Sequence, residues 1–351
     1  SHDGKSRAIN ELSPTRFSVS VRKRIIEIST KGAHSLDLSN GGRDHGYKSC
    51  PSRRNLICLN RREGKRAVVK GLFKEEAAVK YRSIGKTEIQ VSSLCFGTMS
   101  FGGNADAETS KEMFKRCREA GINFFDTANS YAKGQSEVIL GECIADCRND
   151  IVLTTKVFNP MGTDINAKGL SRRHIILEVE NSLKRLKTDR IDFYFVHSFD
   201  PLTPMEETLR AMNDLQSQGK IVYPAVSNWA AWQIAKALGI SAKEQLARFE
   251  LIQPMYNLVK RQAEVEILRL AQAEQVGVIT YSPLGGGLLT VKYGMKKRPV
   301  QGRLMEQKMY ANRYADQVNY EVADRFTAYC EEKGIHPATL AVAWVMSHPG
   351  V

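Results

Sequence analysis

Asp126, Tyr131, Lys156 and His197 are the residues of this 351-residue sequence whose types and spacing could act together chemically. Asp126 closes the apolar run "INFFD" (122–126), and Tyr131 follows five residues later in a turn. Lys156 closes "DIVLTTK" (150–156) and His197 closes "IDFYFVH" (191–197). A lysine beside a phenol favours the phenolate, so Tyr131 is expected to titrate below the usual value of about 10. A carboxylate beside that lysine keeps it charged and oriented. Such a phenol can give a proton to a carbonyl oxygen as hydride arrives at carbon, or accept one in reverse. His197 could polarise the same oxygen or join the proton relay. Taken singly, each residue has an ordinary use as a turn former, a snorkelling cation, a core edge or a buried ring. Their placement at consecutive strand ends is what argues for chemistry. The remaining histidines (His2, His34, His45, His174, His336 and His348) have no such setting.

The elements that must position these groups are legible from Tyr81 onward. "YRSIGKTEIQVSSLCFGT" reads as a small hairpin turning at Gly85-Lys86-Thr87, followed by a strand over 93–97. Further strands are expected at 122–126, 150–156, 191–197, 221–226, 249–254 and 277–282, seven in all. Between them, Ile175, Val179, Leu183 and Leu186 recur at helical spacing after a Ser171 N-cap. Met205, Leu209, Met212 and Leu215 do the same over 204–218. Strands apolar on both sides, alternating with helices, imply parallel strands covered by helices.

A doubly wound sheet and a (β/α)8 barrel both satisfy that alternation. The first strand–helix turn, "CFGTMSFGGNAD", does not supply G-x-G-x-x-G opening a helix, so the barrel is preferred. In such a barrel the carboxyl ends of all strands face one rim, where the site sits. An eighth strand and its helix are expected of a closed barrel. Neither is found before the sequence reaches "AWVMSHPGV".

Composition bounds the function class. The hydrophobic share of 42% and charged share of 25% are those of a soluble globular protein. No run of eighteen apolar residues suggests a membrane span, and "SHDGKSRAIN" lacks the apolar centre of a secretory signal. Seven scattered cysteines without C-x-x-C read as reduced thiols of a cytoplasmic protein, and no metal is expected. The net charge of +13 is concentrated in residues 1–80, with 18 Lys and Arg against 8 Asp and Glu, while the rest holds 33 against 30. Residues 1–80 are therefore expected to form a basic, poorly structured extension, and 81–351 the barrel. A targeting segment fits poorly with eight acids. Nucleic-acid binding lacks interleaved aromatics.

Later strand ends carry groups suited to a nicotinamide. Ser227, Asn228 and Gln253 offer donors and acceptors for a carboxamide, and Tyr281 offers an aromatic face. In "SPLGGGLLTVKYG" the glycines let backbone amides approach a pyrophosphate, and Lys292 can add charge.

The chain from about Tyr81 resembles the aldo-keto reductase superfamily, including its bacterial oxidoreductases and the related potassium-channel β subunits. The carriers are "FGTMSFGG", "NFFDTANSYAKGQSEVILGE", "LTTKV", "YFVHSFDP", "IQPMYNL" and "YSPLGGGLLTVKY", in family order over about 270 residues. The resemblance implies a (β/α)8 barrel reducing aldehydes or ketones with NADPH, and the reverse oxidation. It implies a catalytic set of Asp126, Tyr131, Lys156 and His197, with Tyr131 as general acid and Asp126 also facing cofactor. Gly97, Thr98 and Met99 match a first cofactor-facing loop, and Ser227, Asn228, Gln253 and Tyr281 match nicotinamide positions. Ser282, Pro283, Leu284, Gly286, Leu288, Lys292 and Arg303 match the loop covering the pyrophosphate. The chain departs from the family at Pro224-Ala225 and at Val291, where glycine is common. The family's final strand, which holds the 2′-phosphate, has no counterpart. Two alternatives stand beside the reductase: a nucleotide-sensing regulatory subunit, and an inactive truncated barrel. Channel subunits commonly carry Asn at the position of His197.

Overall fold

The computed structural model describes residues 57–59, 66–68 and 79–351. The chain divides at Lys74 and Glu75 into two units. In the first, β1 (Ile57–Leu59) pairs antiparallel with β2 (Arg66–Val68), Ile57 opposite Val68. The extension expected over 1–80 otherwise lies outside the described residues, apart from Val79 and Lys80.

The second unit opens with the expected hairpin, β3 (Tyr81–Ser83) against β4 (Gln90–Ser92). Its turn needs Gly85, whose φ of 50° is left-handed and whose Cβ would lie 2.7 Å from the Gln275 carbonyl oxygen. Seven parallel strands follow in chain order: β5 (Cys95–Gly97), β6 (Phe124–Asp126), β7 (Val152–Val157), β8 (Ile191–Val196), β9 (Ile221–Ser227), β10 (Leu251–Gln253) and β11 (Gly277–Val278). Helices α1 (Ala107–Glu119), α2 (Gln135–Ile144), α3 (Arg172–Leu186), α4 (Met205–Ser217), α5 (Ala231–Glu244) and α6 (Ile267–Glu274) make the crossovers. Ser171 caps α3 by accepting the His174 amide at 3.3 Å, as its sequence position predicts.

Period-two alternation sorts every strand into two faces. Phe124, Val152, Phe193, Phe195, Ala225 and Leu251 point inward and share one apolar cluster. Phe125, Leu153, Val157, Tyr194, Val196, Val226 and Ile252 point outward into the larger layer beneath the helices. The parity that buries Phe124 and Val152 also turns Asp126, Thr154 and Lys156 inward.

The sheet is a curled (β/α)8-type barrel lacking a strand. Among the described residues β5 and β11 are its two edges. A cavity of about 310 Å³ lies along this seam, lined by Cys95 on one side, Val278 and Ile279 on the other, and Val345 and Val351 near the last helix. After β11 come short helices α7 (Arg303–Glu306) and α8 (Lys308–Arg313), then α9 (Gln317–Lys333) and α10 (Pro337–Met346). Leu288, Tyr293, Leu304, Tyr310, Tyr314 and Tyr320 form a separate, tyrosine-rich cluster that holds the loop after β11 against α7, α8 and α9.

Candidate active site

Lys156 is the centre of the site. Its Nζ donates to both carboxylate oxygens of Asp126 and to the Thr127 carbonyl, each at 2.6 Å, and stands 3.5 Å from the Tyr131 hydroxyl. The side chain is fully buried and Asp126 nearly so. Register explains the meeting: Asp126 pairs with Thr154 across β6 and β7, which sets Lys156 one inward position beyond it. Thr154 Oγ1 also donates to Asp126 Oδ1 at 2.5 Å, and Gln253 Nε2 donates to the same oxygen at 3.2 Å. The His197 ring lies edge-on to Tyr131, centroids 6.0 Å apart. The four residues expected to converge do so, with the Tyr131 and His197 side chains only partly buried toward the mouth.

Electrostatics divide the roles. Burial pulls the Lys156 ammonium down, but Asp126 and Tyr131 outweigh it and hold the group above the usual lysine value. Burial pushes the Tyr131 phenol up, and this exceeds the opposing pull of Lys156. The expected lowering of Tyr131 is thus corrected: the lysine's charge is largely engaged by Asp126, and desolvation of the phenolate wins. His197 falls to about 3, first through burial and then through Lys156. Its ring is thereby held uncharged at neutral pH. Asn159 Nδ2 lies 3.1 Å from Ser130 Oγ and 3.4 Å from His197 Nδ1. The tautomer compatible with Asn159 Nδ2 as donor to both groups carries the His197 ring proton on Nε2.

The loop bearing Tyr131 is held from below. Ser136 Oγ contacts Thr98 Oγ1 at 2.8 Å and Thr127 Oγ1 at 2.9 Å, tying the ends of β5 and β6 to α2. Asn129 Nδ2 donates to buried Glu178 at 2.8 Å. Arg185 donates to Glu137 at 2.6 Å and packs against Gly134, where a Cβ would come within 3.0 Å. Ala132, Lys133 and Gly134 follow Tyr131 in successive left-handed conformations, a turn that costs about 1–2 kcal/mol per non-glycine residue.

The residues expected to face a cofactor have mixed surroundings. Thr98 is buried with its hydroxyl engaged as above, whereas Gly97 and Met99 are exposed. Ser227 donates to the Gln253 carbonyl at 2.9 Å. Asn228 donates to the His197 carbonyl at 2.9 Å and accepts from the Tyr281 hydroxyl at 2.8 Å. Pro283 lines the seam cavity, Leu284 is half-buried, and Leu288 is buried in the tyrosine cluster. Ser282, Gly286 and Val291 have left-handed backbones. Lys292 is exposed, and Arg303 stacks over Tyr310 at 5.3 Å. Three aromatic residues in the loops that follow β7, β9 and β10 have different surroundings: Phe158 is half-buried, Trp229 packs edge-on against Phe199 and Phe249, and Tyr256 packs on Trp344 of α10.

Residues 93–351 match the family described as "Aldo/keto reductase family". The chain belongs to this family. Relatives include a probable voltage-gated potassium channel subunit beta from Oryza sativa subsp. japonica, 38% identical over 78% of this chain and 85% of the relative. One of the same description from Arabidopsis thaliana is 39% identical over 78% and 85%. An uncharacterized oxidoreductase (YrpG) of Bacillus subtilis strain 168 is 34% identical over 77% and 84%. Membership makes this chain an oxidoreductase by family. Among the described residues no helix is long and apolar enough to cross a membrane.

For an aldo/keto reductase chain, sequence reasoning left out two site residues, Thr154 and Asn159, and one contact of a third, Gln253. Thr154 was recoverable, because it sits two positions before Lys156 on the same face of β7. Gln253 was read as a carboxamide ligand, not as a second donor to Asp126. Asn159 carried no signal, since its approach to His197 depends on how the loop after β7 folds.

Proposed function

We propose that this chain reduces aldehydes or ketones to alcohols with NADPH, and runs the reverse oxidation, with Tyr131 as general acid and base. The observation that supports this most is the buried Lys156, bound to Asp126 on one side and 3.5 Å from the Tyr131 hydroxyl on the other. Tyr131 stays protonated at neutral pH and presents that proton to a carbonyl oxygen at the mouth. Lys156 stabilises the phenolate left behind. Neutral His197 donates from Nε2 to the same oxygen, polarising the carbonyl without adding a charge.

The glycine-rich backbone after β11 supports a dinucleotide reading. Gly285, Gly286 and Gly287 all have positive φ, and a Cβ at Gly286 would meet Leu304 and Tyr310 at 3.0 Å. In this reading the 282–288 backbone, Lys292 and Arg303 hold the diphosphate, and the loop of Gly97, Thr98 and Met99 faces the cofactor. Ser227, Asn228 and Gln253 hold the carboxamide, with Tyr281 against the ring. NADPH, when bound, supplies the hydride. Scattered thiols suit a cytoplasmic location.

Tyr131→Phe should abolish turnover of a reactive aromatic aldehyde while NADPH binding survives. Undiminished turnover would sink the assignment. A second reading is favoured by the relatives described as channel β subunits: a nucleotide-sensing regulatory role. Tight NADPH binding with negligible turnover across many aldehydes would select it.

A further inference from the structure

A second cavity, of about 360 Å³, opens beside the Tyr281–Asn228 pair. Its apolar wall includes Trp229, Ile252, Met255 and Ile267, and its polar groups include Asn228, Gln262, Lys260 and Arg313. Lys260 comes from the loop after β10 and Arg313 from the end of α8, so two distant parts of the chain deliver the two cations. Both are partly buried. Neither has a carboxylate within ion-pair distance among the described residues; neighbouring Glu264 is taken by Arg261 at 2.7 Å.

Each cation rests instead on an aromatic ring. Lys260 Nζ lies 5.7 Å from the Tyr314 ring centre, and Arg313 lies 5.2 Å from that of Tyr310. Such a seat positions a cation without neutralising it. Two partly desolvated, uncompensated cations beside a concave, mostly apolar surface leave that surface electrostatically incomplete. A carboxylate or phosphate placed there would receive charge-assisted hydrogen bonds, while the apolar wall covers the carbon skeleton attached to it. Asn228, which lines the cavity, also binds the His197 carbonyl, so the cavity adjoins the reacting end of the mouth.

We propose that this cavity is a recognition subsite for an anionic group of the substrate, making carbonyl compounds that carry a carboxylate or phosphate the preferred class. The proposal rests on the carbonyl-reductase reading. The other source of such an anion, the diphosphate of a dinucleotide, is less well suited. Gly285–Gly287, Lys292 and Arg303, the groups assigned to it above, line none of this cavity.

The test compares 4-carboxybenzaldehyde with neutral 4-methylbenzaldehyde on the full chain, with binding read by tryptophan fluorescence because Trp229 lines the cavity. Lys260→Gln, Arg313→Gln and the double variant are measured alongside, with thermal melts confirming that each is folded. The carboxylated aldehyde should bind about tenfold more tightly or better, and the advantage should shrink to within about twofold in the double variant. Equal binding of the two aldehydes by the native chain overturns the subsite, as does an advantage that survives the double substitution. An advantage that disappears once saturating NADP+ is present assigns the cations to the nucleotide and also overturns it. A preserved binding advantage without turnover of either aldehyde supports the subsite while removing the reductase reading.

Discussion

Thr154 Oγ1 donates to Asp126 Oδ1 at 2.5 Å from the same inward row of β7 that carries Lys156. The hydroxyl fixes the carboxylate so that both of its oxygens reach the ammonium. Thr154→Val keeps the shape and removes the donor. It should cost about 1–3 kcal/mol of stability, and kcat/KM for an aromatic aldehyde should fall on the order of tenfold. Thr154→Ser should restore most of both. Equal activity of the Val and Ser variants would show that the hydroxyl does not position Asp126.

The Lys156–Asp126 pair should behave as a buried pair whose halves cannot be removed singly. Lys156→Met leaves an almost fully buried carboxylate uncompensated and should cost about 3–5 kcal/mol. Adding Asp126→Asn should recover much of that loss in urea unfolding, without recovering turnover. If the double variant is no more stable than the single one, the coupling is absent.

Asn159 should control which nitrogen of His197 carries the proton. Asn159→Asp places an acceptor at Nδ1, moves the proton there and leaves Nε2 unable to donate. Turnover should fall by about ten- to a hundredfold, with cofactor affinity kept. Asn159→Ala should fall less, because it permits both tautomers. Steady-state kinetics with paired NADPH titrations separate these outcomes.

The depressed His197 predicts a stability profile with a definite sign. In the folded chain the ring resists protonation until about pH 3, whereas an unfolded histidine titrates near 6.5. Between those values the unfolded state binds more protons, so stability falls as pH falls from about 6.5 toward 3. His174 is shifted in the same direction by burial and adds to the slope. His197→Gln should flatten this acid limb in urea titrations at several pH values. An unchanged limb would mean that His197 is not held neutral.

Val291 sits at φ 62°, a left-handed backbone that a β-branched residue tolerates poorly. The family resemblance implies glycine at this position, and the left-handed backbone gives a physical reason for it. Val291→Gly should stabilise the chain by about 1 kcal/mol after the greater entropy of unfolded glycine is deducted. A shift in urea midpoint at constant slope is the check.

Much of the architecture was legible because two simple signals agreed. Runs such as "INFFD" and "IDFYFVH" carry the apolar character of strands buried on both faces, and the Ser171 cap and its helix carry the 3.6-residue period. Strand ends were less sharp. β11 is confined to Gly277 and Val278, short of the expected 277–282, with one further parallel bridge between Met255 and Tyr281 before Ser282 turns left-handed. The seam between β5 and β11 was also foreseeable, since seven strands do not close an eight-stranded barrel.

The convergence of Asp126, Tyr131, Lys156 and His197 was written in the chain itself. Strand parity and a shared carboxyl rim assign each side chain a direction once the strands are known. Folding decided the sign of the Tyr131 shift, because only three-dimensional burial sets the desolvation that overrides the lysine's charge. It also decided the neighbours: the Thr154 and Gln253 donors on Asp126, the Asn159 contact with His197, and the placement of Lys260 and Arg313 on one cavity. Periodicity along a chain specifies which face a residue occupies. Which distant residue stands opposite it depends on register, loop path and packing, and these exist only in the folded molecule.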